Sequence, residues 1–191
     1  MPKISAPTVA EHRANQRAAL IRAGEAVLLE SGLAAVTPRS VGEHAGMARS
    51  SFYDYFATKD DLLVAIAIDA IERWDAEIDE ELSGAEPGLE ELRRFIDATM
   101  SMTAAGKHAI ADALRDANLS PSRREDLMTL HDALLRPLIR VLSDLGMSAS
   151  RSAIMLVQGV LSAGVQLVTH GVDHRTVADD AFRLLTRGLT D

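Results

Sequence analysis

The 191-residue sequence predicts an all-α fold of about nine helices. Three observations lead there. Apolar residues recur at helical spacing along the chain, as in Ala19, Leu20, Ala23, Val27 and Leu28, and again in Leu63, Ala67, Ala70, Trp74 and Ile78. Glycine and proline fall where such runs stop, at Gly32, Gly46, Ser83-Gly84, Pro87-Gly88, Gly146 and Gly171. No stretch has the apolar/polar alternation of a half-buried strand.

Each element has local signals. A first helix is expected over residues 9–31, ended by Gly32. Thr37-Pro38 is an N-cap followed by proline at the first helical position, so a second helix starts there and stops at Gly46. A third follows over about residues 49–55. Thr58-Lys59-Asp60-Asp61 has the form of a capping box, its acidic pair suited to the positive end of a long fourth helix. Further helices are expected over 89–103, 107–117 and 120–145 (the last kinked at Pro137), from Ser148 to Gly171, and from the Asp173 cap to about Gly188.

Composition narrows the function. Apolar residues make up 47% and charged residues 25%, as in an ordinary globular protein. With no cysteine, thiol catalysis, disulfides and thiolate metal sites are excluded. The N-terminus lacks the apolar run of a signal peptide. The most apolar window, residues 153–168, is interrupted by Gln158, Ser162 and Gln166 and falls short of the roughly 20 residues of a membrane span. A cytoplasmic protein with no membrane association is the expectation. His170 and His174 have i,i+4 spacing, but Gly171 between them ends the helix, so no metal site and no cofactor are expected. No strained turn presents a serine nucleophile, so no enzyme is expected.

The net charge of −8 is unevenly spread. Residues 1–59 hold seven Lys/Arg against five Asp/Glu, and residues 60–191 hold thirteen against twenty-three. A mildly basic first third therefore precedes an acidic remainder, which permits DNA binding by the first third alone. The expected division is residues 1–59 and 60–191.

The first third also concentrates the aromatics. Of seven in the chain, four lie at Phe52, Tyr53, Tyr55 and Phe56. Two short helices joined by a glycine-containing turn form a helix-turn-helix. Val41, Ala45, Met47 and Phe52 have the spacing to pack the two helices together. If the second helix enters a major groove, its N-terminal side chains reach base edges. Arg49 is then the candidate for a bidentate guanine contact, with Ser50 and Ser51 beside it. Tyr53, Tyr55 and Lys59 suit phosphates, though one of the two tyrosines is expected to serve packing instead, and Thr37 and Arg39 at the start of the second helix are further DNA-binding candidates.

The segment ESGLAAVTPRSVGEHAGMARSSFYDYFATKDDLL resembles the DNA-binding domain of the TetR (tetracycline-repressor) family. The resemblance rests on the turn Ala45-Gly46-Met47, the aromatic block Phe52-Tyr53-x-Tyr55-Phe56, and Lys59, Asp60 and Leu62. It implies an N-terminal three-helix helix-turn-helix domain followed by a larger helical domain for ligand binding and dimerisation. It implies a homodimer on a double-stranded operator, repressing transcription until a small molecule binds. Two positions depart from the family's pattern. Ala48 stands where a capping serine is common, and Gly42 where alanine is favoured, at a cost of about 1 kcal/mol of helix propensity.

In the acidic part, Trp74, Ile78, Phe95, Thr99, Met100, His131, Met155 and Gln158 are candidates to line a pocket for a largely apolar effector. Plain core packing is the alternative for each. Gly159, Ala163, Gly164 and Leu167, with Leu184 and Leu185 in the last helix, are candidates for the dimer interface that the resemblance implies. Two rival readings stand beside the ligand-released repressor. One is a DNA-binding regulator without a small-molecule ligand, and the other is a helical interaction module that does not bind DNA.

Overall fold

The computed structural model describes residues 9–115, 117, 123, 136–145 and 151–187. Among these it is entirely helical, with nine α-helices and one 3-10 turn. The helices are α1 Val9–Ser31, α2 Pro38–Ala45, α3 Arg49–Phe52, α4 Lys59–Leu82, α5 Leu89–Ala104, α6 Ala109–Arg115, α7 Arg136–Asp144, α8 Arg151–Thr169 and α9 His174–Arg187. The 3-10 turn is Leu33–Ala35.

The boundaries follow the local chemistry. Thr37 caps α2: its hydroxyl accepts from the Ser40 amide, and the Ser40 hydroxyl accepts from the Thr37 amide. Gly46 closes α2 in the left-handed conformation, φ 67°. Thr58 and Asp61 form the reciprocal box expected ahead of α4. Asp173 accepts from the Thr176 amide at the head of α9. Helix α3 is shorter than expected: residues 53–55 continue as turns beyond its single helical turn. Pro137 is buried in α7, and the stretch ahead of it, where its expected kink would show, is not among the described residues.

The chain forms two compact units, Met1–Ala70 with Ala109–Met128, and Ile71–His108 with Thr129–Asp191. The division expected at residue 59 is thereby displaced. Leu62, Leu63, Ala65, Ile66 and Ala67 of α4 are buried in the first unit's core, so packing divides α4 itself rather than the loop ahead of it. That core also holds Leu20, Val27 and Leu28 of α1, Val41 of α2, Phe52, Phe56, and Ile110 and Leu114 of α6. The second unit's core joins Ile78 and Leu82 of α4 to Leu92, Phe95, Ile96 and Met100 of α5, with apolar residues of α7, α8 and α9 around them.

Helix α8 is long and apolar enough to cross a membrane by length and composition, with a mean hydropathy of 1.6. It exceeds the apolar window read from the sequence because it runs from Arg151 to Thr169. Its two faces differ. Val157, Leu161, Gly164 and Val168 are buried, whereas Met155, Leu156 and Leu167 are 63%, 73% and 51% exposed.

Candidate nucleic-acid interface

The exposed edge of α3 is held from beneath by aromatic burial. Phe52 is fully buried and Phe56 nearly so, so the short α3 is anchored by its side chains rather than by its own backbone bonds. The anchoring matters because α3 has no side-chain cap at Ala48. With Phe52 turned inward, Arg49, Ser50 and Tyr53 are left exposed, and Ser51 is half-buried. Among the described residues, Arg49 has no hydrogen-bond or ion-pair partner. A guanidinium so placed is available to a base edge.

The two tyrosines differ in burial. Tyr53 is 51% exposed and stands edge-on to Phe52, with ring centroids 5.4 Å apart. Tyr55 is half-buried against the core and lies under the Arg13 guanidinium at 5.3 Å. Tyr55 is thus the packing residue, and Tyr53 has its hydroxyl end free of the core.

Three other candidates already have occupations. Thr37 is the α2 cap. Arg39 is exposed but hydrogen-bonded to Glu43 at 2.9 Å, which raises its pKa. Lys59 donates its Nζ to the Leu33 carbonyl at 2.6 Å. Burial lowers the Lys59 pKa, with Asp60 opposing. This ammonium pins the 3-10 turn to the head of α4, with further donors left over for a phosphate.

Gly42 has a reason absent from its helix propensity. A Cβ there would stand 3.0 Å from the Met47 backbone oxygen, and the Met47 amide donates to the Gly42 carbonyl at 2.8 Å. The turn folds back onto α2 at this point, and glycine provides the room.

Sequence reasoning missed Arg13 and Arg17. Both lie on α1, with Arg17 over the Phe56 ring at 5.2 Å and Arg13 bonded to the Asp54 carbonyl at 2.9 Å. Their i,i+4 spacing was the available signal, but their partners lie far along the chain.

The effector candidates are mostly packed. Ile78, Phe95, Thr99 and Met100 are buried in the second unit, and Thr99 bonds to the Phe95 carbonyl. Trp74 stands edge-on to Phe95 at 6.3 Å, and its indole nitrogen is buried without a hydrogen-bond partner among the described residues. Gln158 is half-buried. Met155 is a correction: helical periodicity places it on the exposed face of α8, away from the core. His131 lies outside the described residues.

Among the interface candidates, Gly159, Ala163, Leu167 and Leu184 are exposed, and Leu185 is half-buried against the second core. Gly164 is the second correction. It is buried inside the subunit, where an added Cβ would stand 2.7 Å from the Met100 methyl and 3.2 Å from Val177. Small size there serves the contact of α8 with α5 and α9, not an outer surface.

An exposed arginine at the head of α3, the motif's second helix, stands where a helix-turn-helix meets base edges. Residues 20–66 match the family model of bacterial regulatory proteins, tetR family. The fold is similar to that of the transcriptional regulator FadR from Bacillus subtilis, solved in complex with stearoyl-CoA. There the TM-score is 0.77 at 21% identity, covering 91% of this chain and 99% of that one. FadR from Bacillus halodurans gives 0.74 at 22%, covering 91% and 96%. The TetR-like regulator LfrR from Mycobacterium smegmatis, in complex with proflavine, gives 0.65 at 20%, covering 92% and 98%. No curated protein matches the chain in sequence.

Proposed function

We propose that the protein is a dimeric repressor that binds a pseudo-palindromic operator and leaves it when a small, largely apolar molecule binds the second unit. The exposed, unpaired Arg49 at the head of α3 is the observation that carries the DNA reading. Arg49 with Ser50 would meet base edges, Tyr53 with the spare donors of Lys59 would meet phosphates, and a two-fold dimer would read two half-sites. Such a protein works in the cytoplasm, where the operator is. The outer stripe of α8, Met155, Gly159, Ala163 and Leu167, together with Leu184 of α9, is the surface for a second copy. An exposed apolar patch of this kind marks an association site.

For the effector, the supporting observation is Trp74. A buried, unpaired N–H costs on the order of 1–3 kcal/mol, which a ligand carrying a hydrogen-bond acceptor would recover. Stearoyl-CoA and proflavine in the similar structures are consistent with a flat or chain-like apolar occupant. The full burial of Ile78 and Met100 favours a second reading, a regulator with a filled core and no effector.

Selecting duplexes from a random pool with the purified protein tests the DNA reading, and enrichment of a two-fold sequence is the expected result. Trp74 is the chain's one tryptophan, so its fluorescence reports on the effector site directly. A molecule that shifts this emission and raises the melting temperature should bind more weakly when operator is present, by about 5–150-fold. A set of acyl and aromatic compounds that leaves both signals unchanged would favour the regulator without an effector.

A further inference from the structure

Helix α3 is a single turn of four residues, Arg49–Phe52, with no side-chain cap at its start. One helical turn does not hold itself in water. After it, the backbone continues in tight bonds: the Asp54 amide donates to Ser51, and the Tyr55 and Phe56 amides both donate to the Phe52 carbonyl. The Asp54 carbonyl accepts from Arg13 Nη2 on α1, at 2.9 Å. The same guanidinium lies over the Tyr55 ring at 5.3 Å. One helical turn along, Arg17 lies over Phe56 at 5.2 Å. From Phe56 the ring contacts continue to Phe52 at 5.7 Å and on to the exposed Tyr53 at 5.4 Å.

We infer that Arg13 is a positioning residue for DNA recognition, closing the C-terminal end of the reading helix from α1 and fixing the orientation of Arg49, Ser50 and Tyr53. The inference rests on the DNA reading proposed above. The guanidinium does two things at once, bonding a carbonyl and covering a ring face, which its planar fork allows and an ammonium does not. The competing role for a basic residue near the start of α1 is a plain phosphate contact.

The two roles separate in three variants: Arg13→Lys, Arg13→Ala and Tyr55→Leu. Affinity is measured by fluorescence anisotropy for the selected operator and for an unrelated duplex across a salt series. Hydrogen exchange of the Tyr53–Phe56 amides is followed in the DNA-free protein. As a positioning residue, Arg13→Lys behaves like Arg13→Ala. Both lose operator affinity by on the order of tenfold, while the unrelated duplex is bound much as before and the salt slope is kept. Tyr55→Leu follows them, and the exchange of the Tyr55 and Phe56 amides quickens in all three. A phosphate contact gives the opposite pattern. Arg13→Lys then binds like the parent, and Arg13→Ala weakens both duplexes with a salt slope reduced by about 0.9. That pattern, or unchanged amide exchange in Arg13→Lys, overturns the inference. If the parent itself prefers no duplex, the DNA reading falls, and the exchange measurement still decides whether Arg13 clamps the helix. Should Arg13→Ala fail to fold, the lysine and Tyr55 variants decide alone.

Discussion

A side chain that reads DNA has to be exposed and uncommitted, and Arg49 meets both conditions where Lys59 does not. Replacing Arg49 by alanine is expected to cost about 1–3 kcal/mol of operator binding and to relax the preference at one base position per half-site, with thermal stability unchanged. Lys59→Ala is expected to do the reverse in the free protein. Removing its bond to Leu33 should lower unfolding stability by about 1–2 kcal/mol before any DNA is added, as denaturant titration would register. Gly42 provides a second test. Helix propensity alone says that Gly42→Ala should stabilise by about 1 kcal/mol. The 3.0 Å approach to the Met47 oxygen opposes this, because the neighbour is backbone and yields little. The expected outcome is a lower melting temperature. A rise would mean that the turn relaxes to accept the methyl.

At the scale of elements, the head of α4 is an electrostatic assembly. Partial burial pushes the Asp61 carboxyl up, but the Thr58 hydroxyl and amide and the Arg123 guanidinium outweigh it, and its pKa is lowered overall. A carboxylate whose folded pKa is depressed contributes stability above its unfolded value, about 3.9, and loses it as the pH falls through the folded value. Asp61→Asn should therefore be less stable than the parent near neutrality. The gap should close in acid, below the ordinary carboxylate range. A gap independent of pH would remove the carboxylate's charge from the explanation.

The elements also mark what the sequence could and could not convey. Caps and stops were legible because their partners lie three or four residues away, as with Thr37 and Ser40, or Asp173 and Thr176. The helix-turn-helix was legible because its aromatic block, with Phe52 and Phe56 buried, has few packings. Contacts across the chain were not: nothing local to Lys59 points to Leu33, and nothing local to Arg13 points to Asp54. In α8, apolar residues on both faces hid the inward direction, so Gly164 and Met155 were each assigned to the wrong side.

For the whole molecule, those two faces of α8 give a paired test of assembly. Gly159 has open space around its Cβ position, so Gly159→Arg should fold, sediment as a monomer and lose most operator affinity. Gly164→Arg drives a charge into the subunit's own core against Met100 and Val177, so it should unfold the protein rather than dissociate it. A folded monomer from Gly164→Arg, or an intact dimer from Gly159→Arg, would exchange the roles of the two faces.

In the function proposed above, the N-terminal unit reads a two-fold DNA site through α3. The most direct measurement titrates the parent and Arg49→Ala against the duplex selected from a random pool, with stoichiometry fixed by analytical ultracentrifugation. Two protomers per duplex are expected, with a steep loss of affinity as salt rises and a preference over unrelated duplex that Arg49→Ala largely abolishes at the guanine it contacts. A pool that yields no enriched sequence, or an Arg49→Ala protein that binds the enriched one like the parent, would contradict it.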